Sequence, residues 1–305
     1  MKWKLKSTAF RILSKLPFRK AIYDFAQRYV THAIVPTPDR IRHKMEVAAS
    51  YWKWLVAHGE HSQMIGGRHL DFGAGWHPTI PMAFYAWGME SQFLLDLVPT
   101  MDAASIAATF PIFNGVCPAV AEKAGLPFVR IAGSSTGNTI QELLGPMGIE
   151  YRAPYGELRN VADGTANLVT ATQVLLHIDR PILSQCLKDI HQALKPGGIF
   201  IATIHLHPLY GGLDESANSF RHLIYSDEEW SSFGSEMMSY TRLKAPDYQQ
   251  LLLDAGFEIR ALDVTKGSSE DYEALNRIAI HPCFTKYSRD DLAARHLFVV
   301  AQKQL

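Results

Sequence analysis

The sequence has few cysteines, no excess of either charge and no long apolar run. Cys117, Cys186 and Cys283 show no C-x-x-C spacing, which argues against a disulfide framework or a zinc site and favours a reducing, cytoplasmic compartment. Basic and acidic residues both number 30, so the basic surplus of a typical nucleic-acid-binding protein is missing. No stretch of about 18 apolar residues occurs, and we expect no transmembrane helix.

Acidic residues are also missing from residues 1–20, which carry seven lysines and arginines. Phe10, Leu13 and Leu16 would share one side of a short helix in this segment. Two interpretations are open. The segment is either a solvated arm packed on the protein, or a basic amphipathic helix that holds the protein at the periphery of an anionic membrane.

Short apolar runs alternate with helical segments after residue 66. We predict strands over residues 68–74, 91–98, 149–153, 166–172, 198–205, 257–265 and 296–303. Such alternation is typical of parallel strands with helices on both faces of the sheet. Residues 1–65 are then an N-terminal helical extension of a domain over 66–305. Residues 206–245 form a lid-like insert in that domain.

Two glycines follow the first predicted strand, in the stretch that begins at Asp71. Gly73 and Gly75 permit a tight turn and a close approach of ligand to backbone. Pro78 stands where the dinucleotide motif G-x-G-x-x-G has its third glycine. About 25 residues after Asp71, Asp96 ends the second predicted strand, where an acid can accept both hydroxyls of a ribose. This spacing favours a site for a nucleoside-containing cofactor.

Taken together, these motifs resemble the class I S-adenosylmethionine-dependent methyltransferases, in particular the small-molecule group of the methyltransferase type 11 kind. The stretches that carry the resemblance are HLDFGAG (69–75), LLDLV (94–98), NLVTATQVLLHIDRP (167–181), ALKPGGIFIATIH (193–205), LLLDAGFEIRALDV (251–264) and the closing HLFVVAQK. The resemblance implies an α/β fold with a Rossmann-like, doubly wound sheet of seven strands, one of them antiparallel. It also implies S-adenosyl-L-methionine as the cofactor.

The resemblance further implies where the cofactor would be contacted. The contacts are Asp71, Gly73 and Gly75 at the methionine part, Asp96 at the ribose, Leu97, Arg152 and Ala153 at the adenine, and Thr172 and Gln173 along the carboxylate. The sequence departs from the family pattern at two places. Asn167 stands where an acid is usual, and Trp76 and His77 follow the glycines where small residues are commoner.

Methyl transfer from a sulfonium is an in-line displacement, so the protein must position the acceptor and remove its proton. His205, at the end of the fifth predicted strand, and His177, beyond the fourth, are the candidate bases. For each, the alternative is a structural residue at a strand end. His205 and His207 have no evident third partner, and we predict no metal. Candidate acceptor contacts in the insert are Tyr210, Trp230, Tyr240 and Arg242, with ordinary lid packing as the alternative.

The sequence TATQ (170–173) replaces the [DNS]-P-P-[YF] tetrad of related enzymes that methylate amide or exocyclic amino nitrogens. With a net charge of zero, this favours a small molecule or saccharide acceptor, methylated at oxygen, over nucleic acid. Two alternatives stay open: an NAD(P)-dependent oxidoreductase on a Rossmann-like fold, and a non-catalytic module that binds the cofactor. Pro78 and the two strands that end the chain argue against the oxidoreductase.

Overall fold

The computed structural model describes residues 35–126, 130–133, 136–154, 164–207, 219–233 and 240–305. Its helices are α1 (Pro38–Ala57), α2 (Thr79–Ala86), α3 (Ala103–Ala124), α4 (Ile140–Leu144), α5 (Arg180–Ala193), α6 (Asp227–Ser231), α7 (Ala245–Asp254), α8 (Ser269–Asn276) and α9 (Arg289–Ala293). Its strands are β1 (Arg68–Phe72), β2 (Ser91–Leu95), β3 (Ile149–Arg152), β4 (Ala166–Thr172), β5 (Leu194–His205), β6 (Phe257–Thr265) and β7 (His296–Lys303). The basic segment 1–20 and Tyr210 lie outside the described residues, and what was predicted for them stays a prediction.

The seven strands form one sheet in the order β3-β2-β1-β4-β5-β7-β6. β1 pairs in parallel with β2 and β4, and β2 pairs in parallel with β3. One strand of the seven is antiparallel. The predicted α/β fold class is therefore confirmed, and all seven predicted strands are present. The largest difference is at β5, which begins at Leu194 instead of residue 198.

Packing divides the chain into two compact units. The described parts of the first unit lie within Gln27–Thr172, Asp189–Ile201 and Gln302–Leu305, and include β1 to β4. Parallel strands with helices on both faces are buried along their whole length, and four of the five residues of β1 are buried. The carboxyl ends of β1 to β4 lie at one edge of this unit.

Helix α1 makes up most of the described part, residues 35–65, of the predicted N-terminal extension. Thr37 caps it by accepting a hydrogen bond from the backbone N–H of Arg40, and Pro38 occupies its first turn. Trp52 on its buried face contacts the rings of Phe84 and Trp87. The helix therefore packs on the same unit that carries the two glycines.

Helix α3 has 22 residues and is long and apolar enough to cross a membrane, judged by length and composition alone. It contains Pro111 and Pro118, and it buries one side, including Phe110 and Phe113, in a unit where it also packs against α1. A core helix of a globular domain meets the same test. The sequence predicts no transmembrane helix, because no unbroken run of about 18 apolar residues occurs in it.

The second unit comprises Gln173–Lys188 and the described parts of Ala202–Ala301. Its apolar core joins part of the insert with the connection between β6 and β7. The residues of this core are Phe220, Leu223, Leu275, Phe284, Leu292 and Ala293. The connection had no assigned structure from the sequence, and it folds into α8, α9 and a short turn over Pro282–Phe284.

Candidate functional site

The loop after β1 has the backbone conformation that glycine favours. The φ angles are +80° at Gly73 and +68° at Gly75. A Cβ atom at residue 75 would lie 3.9 Å from Nζ of Lys44. The N–H of Gly73 donates to the carbonyl of Leu95 over 2.8 Å, at the end of β2. The loop is therefore held against β2, and substitution of either glycine would strain its backbone.

Asp96 lies directly beside this loop. Its Oδ2 accepts a hydrogen bond from the N–H of Gly75 (3.0 Å) and lies 3.3 Å from Oγ1 of Thr100. The hydroxyl of Tyr151, on β3, accepts from the N–H of Thr100 over 2.9 Å and so fixes the segment that follows β2. Burial raises the pKa of Asp96, and hydrogen bonds from Gly75, Val98 and Thr100 oppose that effect. The carboxylate that the sequence predicted for ribose binding is thus hydrogen-bonded to the backbone of the glycine loop.

Asp71, the acid at the end of β1, is buried next to a lysine that the sequence reading missed. Burial raises the pKa of Asp71 to about 6, partly offset by Thr170 and by the charge of Lys44. Burial likewise lowers the pKa of Lys44, and the charge of Asp71 opposes that shift. Because Nζ of Lys44 also faces Gly75, an acid and a base flank the loop where the methionine part of the cofactor is expected.

Lys44 and Tyr51 lie two turns apart on α1, so they share one face of the helix. The hydroxyl of Tyr51 lies 2.9 Å from Oγ1 of Thr172, at the end of β4. Helix α1 therefore covers the carboxyl ends of β1 and β4. One sequence signal could have indicated this: Lys44 interrupts a stripe of apolar residues that includes Ile41 and Ala48.

The residues predicted to contact the adenine lie at the ends of β2 and β3. Leu97 is 59% exposed, directly after Asp96. The Nε of Arg152 donates to Glu150 over 2.7 Å, and its guanidinium lies 4.5 Å from the centre of the Phe93 ring. Ala153 follows β3 and is half-buried. An exposed leucine beside a carboxylate offers the apolar surface that an adenine requires.

Two of the residues that depart from the family pattern, Asn167 and His77, contact other parts of the first unit. Asn167 accepts a hydrogen bond from the N–H of Arg68 (3.0 Å) and donates to the carbonyl of Gln63 (2.8 Å), at the amino ends of β4 and β1. His77 is buried, with Nδ1 3.4 Å from Oγ1 of Thr109. Asn167 therefore lies at the opposite edge of the sheet from the glycine loop.

The two candidate bases belong to the second unit. His177 is exposed, with its ring 4.7 Å from that of Tyr240. His205 is half-buried, its backbone N–H donates to Oε1 of Gln173 (2.7 Å), and its ring lies 4.4 Å from that of His296. Gln173 has a left-handed backbone, with a φ of +56°. The hydrogen bond from the backbone of His205 to the side-chain oxygen of Gln173 holds the end of β5 in position.

Arg242 is buried and its guanidinium is used within the chain. It donates to the carbonyls of His222 (3.0 Å) and Tyr225 (2.5 Å) and pairs with Asp227. It also lies 4.7 Å from the centre of the Phe284 ring. These contacts join the two parts of the second unit's core, so packing within the lid accounts for this arginine.

Trp230 and Tyr240 are the other two described residues that were predicted to bind the acceptor, and they contact each other. The Nε1 of Trp230 donates to the carbonyl of Tyr240 over 2.8 Å. Both are half-buried. Within the described residues, no group of three or more His, Cys, Asp and Glu side chains is arranged to hold a metal ion. Acceptor binding by these two aromatic residues stays a prediction.

Comparison with known proteins gives a family and several distant structural likenesses. The Methyltransferase domain family matches residues 62–262, more than half of the chain. No curated protein matches this sequence at a significant level. Among solved structures, magnesium protoporphyrin IX methyltransferase from Synechocystis PCC 6803, with bound S-adenosylhomocysteine, is 14% identical; the match covers 98% of this chain and 99% of that one, with a TM-score of 0.47.

Two further solved structures are similar to this chain. A S-adenosylmethionine-dependent methyltransferase from Mesorhizobium loti is 16% identical over 79% of this chain and 92% of its own, with a TM-score of 0.39. One from Methanosarcina mazei is 14% identical over 80% and 96%, with a TM-score of 0.42. These scores are low, and the fold assignment therefore rests on the strand order of the sheet itself.

Proposed function

Since this chain belongs to the Methyltransferase domain family and uses S-adenosylmethionine as its cofactor, we propose that it methylates a small molecule or a saccharide at an oxygen atom. The observation that carries the cofactor site of this proposal is the carboxylate of Asp96, which accepts a hydrogen bond from the N–H of Gly75 over 3.0 Å. An acid in this place binds a ribose beside a loop that a ligand can approach closely.

The residues of the first unit fit this cofactor. Asp96 would accept the ribose hydroxyls, and the exposed side chain of Leu97 would pack on the adenine. Gly73 and Gly75 would let the methionine part approach the backbone. Lys44 would pair with its carboxylate. When bound, the cofactor supplies a methyl group on a sulfonium, which is the electrophile.

The proposed acceptor follows from charge and from what the chain offers for proton removal. A chain with a net charge of zero provides no general attraction for nucleic acid. TATQ at residues 170–173 lacks the prolines of the tetrad that serves nitrogen methylation. An alcohol or phenol must lose its proton as it is methylated, and His205, with His177 as the alternative, would accept it.

The proposal is tested by titrating the purified protein with S-adenosylhomocysteine in a calorimeter and then supplying methyl-labelled S-adenosylmethionine with a cell extract. We expect micromolar binding and label in a neutral, low-molecular-weight fraction that releases no label under conditions that cleave methyl esters. Absence of binding at millimolar ligand would refute the cofactor site. Label confined to protein or nucleic acid would refute the acceptor class.

Replacement of Lys44 by methionine should weaken binding of S-adenosylhomocysteine about 10- to 150-fold, because one charge-assisted hydrogen bond contributes about 1.5–3 kcal/mol. Binding of 5′-methylthioadenosine, which lacks the amino-acid part, should not change. Lys53→Met is the matched control, since Lys53 is exposed on the same helix. An equal loss for both ligands, measured by calorimetry, would show that Lys44 does not contact the carboxylate.

A further inference from the structure

Four polar side chains are buried together inside the sheet of the first unit, and only one of them, Asp71, was expected from the sequence to contact the cofactor. His69, Gln92 and Thr170 are each 0% exposed, and Asp71 is 4% exposed. His69 and Asp71 are two residues apart on β1, so their side chains lie on one face. The strand register places Gln92 of β2 opposite His69, and Thr170 of β4 opposite Asp71.

These side chains form a continuous series of hydrogen bonds that ends on helix α2. Nε2 of Gln92 donates to the carbonyl of Pro81 over 2.8 Å, and Oε1 of Gln92 lies 2.9 Å from Nδ1 of His69. Nε2 of His69 lies 2.7 Å from Oγ1 of Thr170, which lies 2.8 Å from Oδ1 of Asp71. We refer to Pro81, Gln92, His69, Thr170 and Asp71 as the buried chain.

The direction of each hydrogen bond in the buried chain follows from its fixed end. The carbonyl of Pro81 can only accept, so the amide nitrogen of Gln92 faces it and the amide oxygen faces His69. Nδ1 of His69 must therefore carry a hydrogen, and a neutral imidazole then has only a lone pair on Nε2.

The hydroxyl of Thr170 has one hydrogen for two neighbours. If it donates to Nε2 of His69, the contact with Asp71 is a hydrogen bond only when the carboxyl of Asp71 is protonated. If it donates to an ionised Asp71, then the lone pairs of Thr170 and His69 face each other over 2.7 Å unless His69 is charged. A buried contact without its hydrogen costs about 1–3 kcal/mol. One additional proton satisfies every contact.

We propose that the buried chain holds this proton on the carboxyl of Asp71 in the unliganded protein, and that binding of the cofactor's cationic amino-acid end releases it. His69, Thr170 and Gln92 are then positioning residues that act through Asp71. The second half of the proposal rests on the proposed function. The step is balanced: the O–H bond of Asp71 breaks, its proton goes to the solvent buffer, and the hydroxyl of Thr170 turns to donate to the carboxylate.

The electrostatic surroundings favour Asp71 over His69 as the holder of the proton. Burial raises the pKa of Asp71 to about 6 and lowers the pKa of His69 to about 4. Lys44, from α1, favours the ionised form of Asp71, whereas Asp96, after β2, opposes it. The hydrogen bond with Gln92 favours an imidazolium at His69, but burial outweighs it, and neither Thr170 nor the ring of Phe84 supplies a negative charge.

A cationic ligand group beside Asp71 favours its ionised form, so the proton and the ligand compete. Below the pKa of Asp71, each unit by which the pH falls should therefore weaken binding of S-adenosylhomocysteine about tenfold. In His69→Gln the amide N–H of the new side chain can donate to Thr170 and leave the hydroxyl hydrogen for Asp71. The proton on Asp71 is then no longer required, while Oε1 of Gln92 loses the hydrogen bond from Nδ1 of His69.

The first experiment uses unliganded protein and therefore does not depend on the proposed function. In ¹⁵N spectra at pH 6, His69 should be neutral with hydrogen on Nδ1, and in ¹³C spectra the carboxyl of Asp71 should titrate near or above pH 6. A hydrogen on Nε2, or an Asp71 that is ionised throughout the range from pH 5 to 7, would overturn the proposal.

The second experiment measures the affinity for S-adenosylhomocysteine between pH 5 and 7. The midpoint of its pH dependence should fall by about one unit in His69→Gln and stay unchanged in His58→Gln, an exposed histidine at the end of α1. A midpoint that is the same in both variants would refute the link to the cofactor. If the wild-type protein does not bind S-adenosylhomocysteine at all, the proposed function is refuted. The spectra of the unliganded protein then still test whether Asp71 holds the proton.

Discussion

Replacement of Asp96 by alanine should weaken binding of S-adenosylhomocysteine at least about a hundredfold. A carboxylate that accepts two ribose hydroxyls makes two hydrogen bonds to a charged group, each contributing about 1.5–3 kcal/mol, and every 1.4 kcal/mol is about a factor of ten. The substitution also removes the acceptor for the N–H of Gly75 and for the hydroxyl of Thr100. Calorimetric titration of wild type and variant measures the loss directly.

Two further variants separate the ribose contact from damage to the loop. Asp96→Asn keeps one oxygen for Gly75 but lacks the charge and one acceptor, so its affinity should lie between those of the wild type and the alanine variant. Asp39→Ala removes an exposed acid at the start of α1 and should change nothing. If Asp96→Ala binds within about threefold of the wild type, the ribose is held elsewhere.

The strands and the glycine loop could be predicted because their signals are local. Each strand is a short run of apolar residues between turn residues, and Gly73 and Gly75 mark the loop by their own backbone requirement. The difference at β5 has the same origin. Pro196, Gly197 and Gly198 are typical of a turn, yet they belong to the strand. There the amide of Gln302, on β7, donates to the carbonyl of Gly197.

Contacts between distant parts of the chain could not be predicted in this way. Lys44 reaches the glycine loop only because α1 packs over the ends of β1 and β4. The chemistry of His69 depends on the register of β1 with its two neighbours, which no local pattern specifies. In each case the residue type was visible in the sequence, whereas its partner was set by packing.

Arg242 is a case in which the residue type suggested a ligand contact and the structure shows contacts within the chain. Its guanidinium is suited to bind a carboxylate or phosphate, and on that basis the sequence made it a candidate acceptor contact, with ordinary lid packing as the alternative. In the structure the carbonyls of His222 and Tyr225 and the side chain of Asp227 accept hydrogen bonds from three of its five N–H groups. The same five N–H groups that recognise a ligand also cap a folded segment, and only the three-dimensional neighbourhood distinguishes the two uses.

The proton acceptor of the reaction is open to a direct comparison of two histidines. His205→Gln should lower the rate of methyl transfer about 10²- to 10⁴-fold and leave the affinity for S-adenosylhomocysteine unchanged, because general base catalysis contributes about that much. His177→Gln should keep most of the rate. Both rates are measured with labelled cofactor at saturation, on the acceptor identified by the extract experiment.

The structure favours His205 in this comparison because its surroundings suit a base that becomes charged. Its backbone is fixed by Oε1 of Gln173, which limits the positions of the ring. Its neighbour His296 has a pKa lowered by burial and by the charge of Arg295, which favours a neutral ring there. A cation 4.4 Å away would oppose the transfer of a proton to His205, and a neutral ring does not. If His177→Gln, and not His205→Gln, loses the rate, the exposed histidine beside Tyr240 is the base; if neither does, the acceptor loses its proton without a histidine.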